Sequence, residues 1–221
     1  MNVKFHLKEK KRTEADLLHD ERLLKRNQTL VDVVYGLIIF QLFLLIPYPS
    51  KEQILEQKIA EVFLGDGARL LTVFVGIILV IIYWSQSNTQ FGYLKRVNKV
   101  LSAISILQLF ILMVYLGFVN MDMEGGGDLF VLLGESICLA FAGFLGIFFW
   151  KYAGINLLHH QSLNEDQSKS IYFGFFVEPV TALFTIPIAL LNVKWYPFAW
   201  LAVIPLGLLF GRIARQSRNA K

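Results

Sequence analysis

One cysteine, Cys138, is all the thiol chemistry this chain holds. A lone cysteine excludes an intramolecular disulfide and any Cys-x-x-Cys redox or metal motif. Charge is scarce too: 17% of the residues are Asp, Glu, Lys or Arg, against about 25% in soluble domains. No glycine-rich nucleotide loop, zinc-ligand spacing or Ser/His/Asp set is present. Enzymatic activity, a cofactor and a bound metal are therefore not expected. His159 and His160 stand with Glu165 and Asp166 nearby, but paired loop histidines are more often solvated than ligating. Residues 1–29 are highly charged and lack the apolar core of a secretory signal, so the first membrane helix is expected to stay in the mature chain.

What is abundant is apolar. The chain is 55% hydrophobic and contains 19 phenylalanines among its 221 residues. That composition fits a polytopic, all-α membrane protein. A span needs about 20 mostly apolar residues. Six stretches qualify: 30–48, 68–86, 98–119, 129–150, 171–191 and 196–213. They divide the chain into an N-terminal segment 1–29, a six-helix domain 30–213 and a tail 214–221. The acidic, glycine-rich run Asn120 to Asp128 separates the third span from the fourth.

Charge orients the spans. Eight Lys/Arg lie within residues 1–29, three lie at Lys95, Arg96 and Lys99, and four lie at Arg212, Arg215, Arg218 and Lys221. The alternate side has none at 120–128 and Lys194 alone between the last two spans. The positive-inside rule places both termini in the cytoplasm. The three basic residues within 50–69 run against this pattern. The net charge of +4 is better read as topology than as nucleic-acid affinity. Ile54, Leu55, Ile59, Val62 and Phe63 have helical spacing and predict a short amphipathic helix on the outer surface. Thr13, Asp16, Leu17, Leu18 and Leu24 fit a helix over 13–25 leading into the first span, or a plain charged tail.

Five polar side chains fall within the spans: Asp32, Gln41, Gln108, Glu135 and Glu178. A charged side chain costs about 2.5–3.5 kcal/mol at mid-membrane on insertion scales, so each needs a partner or a job. The ordinary reading is helix-to-helix hydrogen bonding. The alternative is a carboxylate-based, proton-coupled transporter using Asp32, Glu135 and Glu178. Arg26 and Asp32 are six residues apart and share a helix face poorly. Glu178 precedes Pro179, which frees a backbone carbonyl and predicts a kink in the fifth span. On the first span, Leu37, Phe40 or Gln41, and Leu44 form one helical stripe. In a monomer that stripe is core. In a symmetric oligomer it would line an axis as rings, which can constrict or dewet a pore. No Thr-Val-Gly-Tyr-Gly run is present, so a carbonyl-cage filter of that kind is excluded.

The run Arg26-x-x-x-Leu30-Val31-Asp32 resembles the Arg-x-x-x-Phe-Ser-Asp signature of the transmembrane-protein-175 family, the endolysosomal potassium channels and their bacterial homologues. Leu30 and Val31 replace its Phe and Ser. Trp84 matches the tryptophan of that family's Trp-x-x-His, with Ser87 in place of the histidine. The resemblance implies a homotetramer in the bacterial inner (plasma) membrane, with lipid and potassium or another monovalent cation as partners. It implies a pore along the first span constricted at Leu37, and a structural network of Arg26, Asp32 and Trp84. The family's pore threonine corresponds to Phe40, with Gln41 beside it, a departure that bears on selectivity. Leu30 to Tyr35 and Leu133-Gly134-Glu135-Ser136 also resemble pieces of the low-temperature-requirement A family. That resemblance implies a membrane interaction protein that transports nothing.

Overall fold

In the computed structural model, residues 14–56, 67–160 and 163–219 are described. α1 (Glu14–Leu44) is one unbroken helix, so the helix expected over 13–25 and the first span are continuous. It is followed by the short α2 (Lys51–Leu55), α3 (Gly67–Gly92), α4 (Lys99–Gly125) and α5 (Leu129–Ile155). The fifth span is divided into α6 (Glu165–Gly174) and α7 (Val177–Leu191). The sixth begins with a 3-10 turn (Val193–Trp195), α8 (Tyr196–Ala199) and a second 3-10 turn (Trp200–Ala202), and ends in α9 (Val203–Asn219). Among the described residues six helical segments are long and apolar enough to cross a membrane. The protein is a helical integral membrane protein.

Local chemistry sets the boundaries. α2 starts in a capping box: Ser50 Oγ accepts from Gln53 N, and Gln53 Oε1 accepts from Ser50 N. The rest of the expected surface helix falls on residues 57–66, outside the described ones. Gly126, at φ 72°, ends α4 in the left-handed conformation that only glycine adopts without strain. Asp128 then caps α5, its Oδ1 accepting from Phe130 N at 2.8 Å. The acidic, glycine-rich run is therefore a C-cap followed directly by an N-cap.

The break in the fifth span falls at Phe175 and Phe176, just before Glu178-Pro179. Proline at 179 has no N–H to donate to the Phe175 carbonyl, and this frees the turn at that point. Pro197, in the first turn of α8, helps segment the sixth span in the same way.

α5 is the centre of the helical bundle. Of its most apolar stretch 56% is buried, against 22% for the first span and 17% for the sixth. α5 packs against α4 on one side and α7 on the other, while α1 packs on α3 and α4. Small residues permit the close crossing: a Cβ at Gly143 would lie 2.7 Å from Pro179 Cδ. Backbone pairing closes one end of the bundle. Leu158 O accepts from Lys95 N at 3.0 Å, and Tyr93 O accepts from His160 N at 2.8 Å. His159 lies between these bonds, its ring 4.4 Å from that of Trp150.

Candidate functional site

The first span has two faces. Val31, Tyr35, Ile38 and Leu42 recur at i, i+4, i+7 and i+11 and are buried against α3 and α4. On the opposite face Leu30, Val33, Leu37, Phe40 and Leu44 are exposed, and Leu37 keeps 57% of its surface free. Gln41 is exposed beside Phe40. Among the described residues it makes no hydrogen bond. The stripe read from the sequence is thus not core within the chain. Gly36 lies on the same side, and no atom of the subunit would come within 4 Å of a Cβ there.

A polar cluster fixes the helix behind this face. Trp84 Nε1 on α3 donates to Asp32 Oδ1 on α1 at 3.0 Å. The Asn88 amide, in the orientation that satisfies both partners, donates to Asp32 Oδ1 and accepts from Trp84 Nε1, each at 3.2 Å. Trp84 and Asn88 are four residues apart on one face of α3, so both reach the same carboxylate. Arg26 is exposed and has no polar partner among the described residues. Ser87, where the resemblance puts a histidine, is buried, and its neighbour Asn88 reaches Asp32 instead. Asn27 adds a second tie, donating to Ser102 Oγ on α4 at 2.8 Å. Sequence reasoning missed Asn27 and Asn88. Asn88 sits four residues after Trp84, and that spacing was the available signal.

The other intramembrane polar groups lie away from this face. Gln86 Nε2 donates to the buried Glu178 Oε2. Gln90 and Gln108 donate to the carbonyls of Gly146 and Ala142 on α5, each at 2.9 Å. A Cβ at Gly146 would sit 3.2 Å from Gln108 Nε2, so a small residue lets the amide in. Glu135 is buried on α5 and its Oε2 accepts from Tyr196 OH at 3.1 Å. Among the described residues no group of three or more His, Cys, Asp or Glu side chains could hold a metal ion.

These features define a six-span helical membrane protein whose first span presents an uncovered stripe. The chain has the fold of a lysosomal potassium-selective channel TMEM175 homolog from Chamaesiphon minutus, at TM-score 0.69 and 13% identity over 86% of this chain and 98% of that one. It is also similar to a variant of the potassium channel MtTMEM175 crystallised with a nanobody–MBP fusion protein, at TM-score 0.58 and 17% identity over 98% and 99% of the two chains. Residues 26–115 match the family described as "Endosomal/lysosomal potassium channel TMEM175". The matched region starts at Arg26 and contains Asp32, the first-span stripe and Trp84, the residues that carry the resemblance. That family is one of ion channels, which is not an enzyme class. No curated protein matches the chain.

Proposed function

We propose that this chain is the subunit of a potassium-conducting cation channel, a homotetramer whose pore runs along the exposed face of the first span. Leu37 forms the constriction, and Phe40, Gln41 and Leu44 form further rings. Asp32, Trp84 and Asn88 hold the first span against the second behind the pore, and Arg26 stands at the mouth. The channel lies in a bacterial inner membrane with residues 1–29 and 214–221 in the cytoplasm, following the distribution of lysine and arginine. Glu135 and Glu178, on the fourth and fifth spans, are off the ion path.

The observation that carries this reading is Gln41. It is exposed on the same helical face as Leu37 and Leu44, without a hydrogen bond in the subunit. Facing lipid, its amide would forgo every hydrogen bond it makes in water. Facing a water-filled axis, it forgoes none. Large uncovered apolar residues around it supply the dewetting rings of a hydrophobic constriction. The family match over the same segment points the same way.

Cross-linking tests the placement directly. Cys138 is buried and is the sole native cysteine. Leu37→Cys therefore introduces the one accessible thiol. Rapid oxidation to covalent dimers in membranes is the expected result, because four copies around a constriction bring these positions within disulfide reach. Leu37→Cys that stays monomeric, while Ile78→Cys on the lipid-exposed side of α3 cross-links, contradicts the axis.

A further inference from the structure

Away from the first-span face, a small cavity lies between α3, α4, α5 and the segmented start of the sixth span. Thr72, Val75, Tyr115, Glu135, Tyr196 and Trp200 are in its wall, and it has room for about one water. Glu135 is 2% exposed. One of its oxygens is satisfied by Tyr196, but Oε1 has no hydrogen-bond partner. Three hydroxyls continue from it. Ser136 Oγ is 3.1 Å from Tyr196 OH and 2.7 Å from Thr185 Oγ1. No lysine or arginine pairs with Glu135 among the described residues. The other titratable groups that face it carry no positive charge: Asp122 and Tyr115 on α4, Cys138 on α5 and Tyr196 on α8.

A desolvated carboxylate that no cation compensates is among the most expensive arrangements in a protein interior. A proton on the carboxyl or a cation beside it removes that cost. The wall's possible ligands are oxygens, since its one side-chain nitrogen, the Trp200 indole N–H, can only donate; oxygen ligands suit a hard cation. The single carboxylate in the wall, the water-sized volume and the absence of a three-carboxylate cluster among the described residues suit a small monovalent ion rather than a divalent one. We propose that this cavity binds one sodium or potassium ion, with Glu135 as the anionic ligand and Tyr196 as a hydroxyl ligand or as the group that orients the carboxylate. The site is distinct from the pore and does not depend on the channel reading. Its occupant ties α5 to the start of the sixth span, so bound cation stabilises the subunit.

The test is thermal unfolding of the purified full-length protein in sodium chloride, potassium chloride and choline chloride at equal ionic strength. A ligand that binds only the folded state raises Tm by about 5–10 °C at a hundredfold excess over its Kd in a chain of this size. We expect a saturable rise with sodium or potassium over choline, absent in Glu135→Gln and shifted to higher concentration in Tyr196→Phe. Tyr196→Phe keeps the ring packing and stands in if Glu135→Gln does not fold. Leu37→Ala should leave the rise intact, which separates this site from a pore. Equal Tm in the three salts would overturn the proposal and leave a proton as the neutralising group. A cation effect that persists unchanged in both Glu135→Gln and Tyr196→Phe would overturn it as well.

Discussion

The indole N–H of Trp84 donates to Asp32 Oδ1 at 3.0 Å, joining the second span to the first across 52 residues of sequence. A carboxylate near the mouth of a membrane helix thereby gains a partner on another helix, and Asn88 shares it. The bond also fixes the rotation of α1, which decides which stripe is buried and which is left open. Trp84→Phe keeps most of the ring and removes the donor. The expected loss is about 1 kcal/mol, typical of interhelical hydrogen bonds in membranes. Thermal unfolding in detergent measures it, and Trp84→Phe/Asp32→Asn should lose little more than either change alone.

Gly143 lets α5 and α7 approach closely, with Pro179 Cδ 2.7 Å from the place a Cβ would take. Gly143→Ala should destabilise the subunit by about 1–3 kcal/mol, because a rigid proline ring on a packed helix yields little. Gly36→Ala meets nothing within the chain and relieves a helix-interior glycine, so it should not lower the unfolding temperature of the isolated chain. Comparing the two variants by thermal unfolding checks the packing directly.

His159 lies in the connection between the fourth and fifth spans, its ring tilted at 39° against that of Trp150. Burial pushes its imidazole below the usual histidine range, and its Nε2 has no partner. The folded protein therefore binds a proton less readily there than the unfolded chain does. The histidine leaves stability untouched above its unfolded pKa of about 6.5 and removes stability as the pH falls through that value and then through the lower folded one. Tm should drop between pH 8 and pH 5, and His159→Phe should flatten part of that dependence. An equal drop in His159→Phe would assign it to other groups.

The six spans were legible because each is a long apolar run, and such runs need no knowledge of their neighbours. The break in the fifth span was signalled by Pro179, since a proline affects its own helix. The Leu37, Phe40 or Gln41, Leu44 stripe followed from helical spacing. Periodicity does not reveal whether a stripe faces protein, lipid or an axis, and only packing showed that it is uncovered in the subunit. Partners across the fold were not legible. Tyr196 reaches Glu135 from 61 residues away, a pairing no local rule specifies. Asn88 was hidden among polar neighbours, Ser85 to Gln90, and composition alone does not single out the one facing Asp32. The continuity of α1 from Glu14 was only half legible, because its charged first turns carry a partial apolar face.

The central claim is a pore past Leu37, and flux tests it most directly. Purified protein in liposomes should pass potassium down an imposed gradient. Leu37→Ala should raise the rate several-fold by widening the narrowest ring, while Glu178→Gln should leave it near the parent value. No potassium movement through either the parent or Leu37→Ala, with both proteins folded and oligomeric, would contradict the account.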